Sequence, residues 1–231
     1  MTQDALATAV ETTDTPAGVQ GVVNDWSRDK AAFDVPWGKA MMWIFLLSDT
    51  FIFGSFLSSY MAVRGSTTVE WPNTSEVFAL TIAGVHIPLI LIAIMTFVLI
   101  SSSGTMAMAV NFGYRKDRRK TAALMFATAL FGAAFVGMQA FEWTKLIVEE
   151  GVRPWSNPMG AAQFGSTFFM ITGFHGLHVT AGVIYLSVVA TRVLKGIYDR
   201  KDNYEIVEIV GLYWHFVDLV WVFIFAFFYL W

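Results

Sequence analysis

Thr172-Gly173-Phe174-His175-Gly176-Leu177-His178-Val179-Thr180-Ala181-Gly182 sets two imidazoles inside a long apolar run. On a helix, residues three apart share a face, so His175 and His178 point the same way, and Gly182 continues that face. Gly176 and Thr180 form a small, smooth face beside it that lets a neighbouring helix come close. An apolar run of this length crosses a membrane. Two ring nitrogens carried that deep need partners, and the rest of the chain is read for them.

Outward from that stretch, five runs reach the roughly 20 apolar residues that spanning requires: 38–64, 78–102, 121–148, 162–191 and 208–231. The expected fold class is all-α, a polytopic integral membrane bundle of five transmembrane helices. Composition agrees: 56% of the 231 residues are hydrophobic and 14% charged, against about 25% charged in a soluble domain. The expected layout is a polar tail over 1–36, ending in an interfacial approach at Trp26, Phe33, Pro36 and Trp37, and one transmembrane domain over 37–231. Residues 1–25 lack the apolar core of a cleavable signal, so the first run is expected to direct insertion itself. The third run, about 42 Å long at 1.5 Å per residue, must tilt or protrude. Pro88 is expected to kink the second helix, with His86 capping the carbonyls it frees.

Basic residues set the orientation. Arg28, Lys30 and Lys39, the group Arg115, Lys116, Arg118, Arg119 and Lys120, and the group Arg192, Lys195, Arg200 and Lys201 fall on one side. Only Arg64, Lys145 and Arg153 fall on the other. Twelve against three puts the N-terminus inside and the C-terminus outside. Tyr229 and Trp231 would then belong to an outer aromatic belt.

Some function classes are excluded. A net charge of −3 argues against nucleic acid as a partner. With no cysteine there is no disulfide, iron–sulfur cluster or cysteine nucleophile. No Gly-rich phosphate loop, His-Glu-x-x-His or hydrolase arrangement occurs.

The embedded polar residues carry the functional reading. Asp49 is the only charged residue between Lys39 and Arg64, about 15 Å deep by helical rise. It is either a hydrogen-bonded packing aspartate or a buried acid paired with a histidine and coupled to proton traffic. His215 and Asp218, again three apart, enter on the last helix, with Asp218 at about the depth of Asp49 and His178. Helices one, four and five are therefore expected to bring Asp49, His178 and Asp218 to one level. Gln139 and Glu142 lie near the outer end of the third helix, about 31 Å along its axis. There they read as an interfacial bond to another helix or subunit. His-x-x-His and His-x-x-Asp pairs can ligate zinc, copper or iron. The Glu-x-x-His pairs and further glutamates of a carboxylate-bridged di-iron site are missing, and histidine–carboxylate pairs that satisfy each other need no metal.

Four blocks carry a resemblance: Leu47-Ser48-Asp49-Thr50-Phe51-Ile52-Phe53; Gly137-Met138-Gln139-Ala140-Phe141-Glu142-Trp143; Gly165-Ser166-Thr167-Phe168-Phe169 running into the opening stretch; and Tyr213-Trp214-His215-Phe216-Val217-Asp218-Leu219-Val220-Trp221. In these, from about Trp37 to Trp231, the chain resembles subunit III of the haem–copper terminal oxidases, in its short five-helix bacterial form. Longer members carry extra helices at the start, against which their lipid-holding cleft is formed. Many members have glutamate where this chain has Asp49, and a histidine in the second-helix block where Ala107-Met108-Ala109 stands here.

The resemblance implies a non-catalytic subunit of a proton-pumping oxidase in the bacterial inner membrane. It implies packing against subunit I, alongside subunit II and a small subunit IV, with support for proton uptake and for endurance during turnover. It implies haems and copper in the partner subunits, none bound here, and phospholipid as a ligand. The electron donor, cytochrome c or quinol, would bind elsewhere in the complex. Four histidines are too few for the reaction centre of such an enzyme. Two further readings stay open from the residues: a stand-alone metal-dependent membrane enzyme or proton carrier, and an accessory subunit of a nitric oxide reductase.

Overall fold

Five long helices in the computed structural model are apolar enough to cross a membrane. It describes residues 35–82, 85–201 and 204–230; residues 1–34 of the expected tail lie outside them, as does Trp231. The elements are α1 (Trp37–Ser66), a short α2 (Thr74–Val77), strands β1 (Ala79–Ile82) and β2 (Val85–Pro88), α3 (Ile90–Tyr114), α4 (Arg118–Val148), α5 (Ala162–Leu194), a short α6 (Ile197–Lys201) and α7 (Glu205–Phe225). A π-helical turn, Ala226–Leu230, extends α7.

Residues Met1–Ala40 group apart from Met41–Trp231. In the first group, the Pro36 carbonyl accepts from the amides of Lys39 and Ala40 and starts α1. Proline suits a helix start, where its missing N–H has no intrahelical partner to lose.

The second expected span is displaced. Residues 79–82 and 85–88 form an antiparallel pair with Ala79 opposite Pro88 and Ile82 opposite Val85, and helix begins only at Ile90. Pro88 clashes with the preceding turn of a helix and cannot donate there, and the β-branched run before it favours strand. Leu89 at φ 59° turns the chain from strand into helix. At the far end Met106, Ala107, Met108 and Ala109 continue α3 to Tyr114, through what the sequence reading takes as loop. The reading of His86 as a cap lies outside the described side chains.

Only a tight turn, with Lys116 at φ 57°, separates α3 from α4. Asp117 caps α4: its carboxylate accepts from the Lys120 amide at 3.2 Å. That bond holds the Asp117 carboxyl below its ordinary pKa. Arg118 lies 3.8 Å from Asp199, and the Tyr204 hydroxyl donates to Asp199. Burial and that bond push the Tyr204 phenol up to about 12.

Helices α3, α4, α5 and α7 pack around one aromatic core. Trp214 of α7 is its centre, at 1% exposure. Two glycines admit it: a Cβ on Gly132 would lie 2.4 Å from the Trp214 ring, and one on Gly182 2.9 Å. Gly176, expected to admit a neighbour, has nothing within 4 Å. Polar ties cross the core. The indole of Trp214 donates to Ser102 at 2.9 Å, that of Trp221 donates to Thr96 at 3.0 Å, and Thr105 bonds Thr128 at 2.7 Å. α1 is bound more thinly: of its most apolar eighteen residues 17% are buried, against 56% for the last span.

Candidate functional site

Asp49 and His178 meet across α1 and α5, with Oδ2 3.1 Å from Nε2. Asp49 is 4% exposed. The local geometry fixes the proton count. The other ring nitrogen, Nδ1, lies 2.8 Å from the Phe174 carbonyl, one turn back on the same helix. A carbonyl only accepts, so Nδ1 carries a hydrogen. A bare nitrogen and a bare carboxylate would both be acceptors, so one proton also lies between Nε2 and Oδ2. Whichever atom holds it, the pair has no net charge, which is what makes it tolerable in hydrocarbon.

Surrounding groups hold the pair in place. The Tyr213 hydroxyl on α7 donates to the His178 carbonyl at 2.9 Å. Phe53, one turn after Asp49 on α1, sets its ring 5.5 Å from the His178 ring and 5.3 Å from Phe174. The small aromatic cluster keeps water out, and the pair gives α1 its register against α5.

His175 goes elsewhere. It is 1% exposed and neither ring nitrogen has a hydrogen-bond partner. Phe135 meets it edge-on at 5.9 Å and 89°, Trp221 stacks at 5.5 Å, and Phe53 closes a third side. It is an imidazole packed as an aromatic ring.

Asp218 does not join Asp49 and His178. Ser103 Oγ on α3 lies 2.6 Å from Nδ1 of His215, and Oδ1 of Asp218 is buried without a hydrogen-bond partner. Ser103 therefore ties α3 to His215 of α7. Ser103 is missed in the sequence because the second helix is ended at 102. The signal for it is the run Met106-Ala107-Met108-Ala109, good helix formers that lie just past Ser101-Ser102-Ser103-Gly104-Thr105.

Gln139 and Glu142 are buried within the protein, at 5% and 4% exposure. Gln139 Nε2 donates to Glu142 Oε2 at 2.7 Å, and the Tyr229 hydroxyl donates to the same oxygen at 3.2 Å. Lys145, one turn on, donates to the carbonyl of Ala79. Tyr229 is thus no part of an outer belt. It is 1% exposed, packed on Phe78 and Phe168, and ties the end of the last span to α4. Depth along the helix places Glu142 near a surface, but Val77, Phe78 and the Ala79 carbonyl lie over that end.

Among the described residues no group of three or more His, Asp or Glu side chains could hold a metal ion. Both nitrogens of His178 are engaged, Nδ1 of His215 is engaged, and His175 is sealed by rings.

A family model described as Cytochrome c oxidase subunit III matches residues 31–231. Over 190 residues the chain is 34% identical to a probable quinol oxidase subunit 3 of Staphylococcus saprophyticus, covering 81% of this chain and 86% of that one. It is 33% identical over 190 residues to a cytochrome c oxidase subunit 3 of Alkalihalophilus pseudofirmus, covering 81% and 84%. A probable quinol oxidase subunit 3 of Staphylococcus aureus is 32% identical over 188 residues.

Proposed function

We infer the working role of this chain from one premise: it belongs to the cytochrome c oxidase subunit III family. It is an integral membrane protein and a subunit III of a haem–copper terminal oxidase, working in a complex with other oxidase subunits. We propose that it packs directly against subunit I, beside subunit II and a small subunit IV, in the bacterial inner membrane. The basic residues favour an N-terminus inside and a C-terminus outside. The haems and copper belong to the partner subunits, and phospholipid fills the remaining grooves of this one.

The observation that carries the role is the Asp49–His178 pair, a neutral two-proton unit buried beside a helix whose outer face is bare. Trp43, Ile44, Leu47 and Phe51 on that face are more than half exposed, an apolar surface for lipid or a neighbouring subunit. In this role the pair holds α1 against the bundle, so that subunit I keeps its proton-uptake path and the complex endures turnover. The oxidase names of its relatives favour this reading over a stand-alone enzyme or a nitric oxide reductase accessory.

The test is Asp49→Asn in the purified oxidase. Assembly and haem spectra should stay as in the unaltered complex, while the number of turnovers before inactivation, or the protons pumped per electron, falls. Unchanged endurance and unchanged pumping together would contradict the role. Co-purification with identification of the partner chains tests the subunit assignment separately.

A further inference from the structure

An open groove of about 400 Å³ lies between α4 and α5, and the role above does not use it. Its α5 side is a ridge without bulk: Gly173, Gly176 and Thr180, spaced three and then four residues apart, share one face. A Cβ on Gly176 would meet nothing within 4 Å. Its α4 side carries two polar atoms without partners. Gln139 is 5% exposed; its Nε2 is spent on Glu142, and its Oε1 is buried with no hydrogen-bond partner. Trp143, one turn on, has its indole Nε1 buried and unpartnered as well. The groove's own hydroxyls turn back to their helix: Thr172 donates to the Phe168 carbonyl at 2.6 Å, and Thr180 to the Gly176 carbonyl at 2.8 Å.

We propose that this groove seats a transmembrane helix of a neighbouring oxidase subunit, packed small ridge to small ridge, whose serine or threonine hydroxyl donates to Oε1 of Gln139 and accepts from Nε1 of Trp143. The seat rests on the subunit role above. It adds which face of this chain is covered, and by what kind of side chain.

The two orphan atoms select the occupant. One is an acceptor and the other a donor, and a hydroxyl is both. Their residues are four apart, about 6 Å by helical rise, which two hydrogen bonds of about 2.9 Å in series span. A lysine or arginine could donate to Oε1 but offers nothing to the indole N–H. An acyl chain leaves both atoms unpaired. It also gains nothing from a ridge of small residues, whereas a helix gains close backbone contact along it. A serine or threonine is itself small enough to stand at that closest approach.

The test uses the whole oxidase in native membranes, with a photoreactive amino acid in place of Leu177, an exposed residue on the bank of the groove. Its cross-links should fall on another oxidase subunit, within a turn of a serine or threonine in a spanning segment. Gly176→Leu fills the ridge from open space. It should cut that labelling at least fivefold without lowering the chain's own denaturation midpoint. Trp143→Phe keeps an aromatic ring and removes the indole N–H. It should speed loss of that subunit in detergent about fivefold, the factor that one net hydrogen bond of about 1 kcal/mol supplies. Cross-links to lipid alone, to a second copy of this chain, or to a segment without serine or threonine would overturn the seat, and need no further variant to fold. So would labelling that Gly176→Leu leaves undiminished, or a loss rate that Trp143→Phe leaves unchanged. Co-purification keeps seat and role apart. A chain that still isolates with oxidase subunits but labels only lipid loses the seat and keeps the role, whereas one that isolates without them loses both.

Discussion

Two buried carboxyl groups meet opposite ends of one problem. Glu142 sits in the thick part of the molecule, where α4, Val77, Phe78 and the end of the last span close over it. Its partners come from its own helix and from a tyrosine already packed on Phe78, Phe168 and Trp221. Asp49 sits on α1, the least buried of the five spans, and its partner belongs to another helix. In the first case packing positions the hydrogen bond. In the second the hydrogen bond positions the helix. A polar pair therefore matters most for register where the interface around it is thin, and there its loss spreads furthest.

The sharpest way to break that contrast is Asp49→Ala. It strands Nε2 of His178 in an aromatic pocket, and breaking a buried pair on one side costs about 3–5 kcal/mol. Because little else ties α1 down, the expected result is release of α1. Protease should cut the connection at residues 67–73 at a rate at least tenfold higher in the variant. A cleavage rate equal to that of the unaltered protein would mean that packing alone holds α1.

The core side of the contrast is probed by Gly132→Ala. The added methyl has no room against Trp214, and overpacking of this kind costs about 1–3 kcal/mol. The denaturation midpoint should fall in detergent. Gly176→Ala, with open space around it, should leave the midpoint where it was. A smaller effect is expected for Tyr229→Phe. It removes one donor from Glu142, about 1 kcal/mol net, and should speed amide exchange only in Ala226–Leu230 while α1 stays docked.

The smallest effect lies outside the membrane. The Asp117 cap lowers that carboxyl's pKa in the folded chain. Its stabilisation is therefore complete above the usual carboxylate range and is lost as pH falls through the lower folded value. Protection of the Lys120 amide, relative to its intrinsic exchange rate at each pH, should fall on acidification below about pH 4, and Asp117→Asn should remove that dependence.

Four of the five spans are legible because charges, Gly and Pro interrupt long apolar runs at their ends. The second is displaced by a dozen residues, since apolarity without length cannot tell a strand from a helix. Pro88 is read as a kink, yet it marks where helix cannot start. The meeting of Asp49 and His178 follows from depth counting, because few groups share that level in a bilayer. Depth fails for Glu142 and Tyr229: it gives distance from the membrane surface, and says nothing of which chain segments fold over that surface. The aromatic enclosure of His175 depends on rings from three other helices, and no local spacing records that. Ser103 stays hidden because its helix is ended one residue short.

The central claim is that Asp49 and His178 act as one unit holding α1, and a double-mutant cycle tests it most directly. Asp49→Leu, His178→Leu and the double variant are compared by protease access to residues 67–73. The account predicts strong coupling, more than about 1.5 kcal/mol, with the double variant closer to the unaltered protein than either single one. Two single effects that simply add would contradict it.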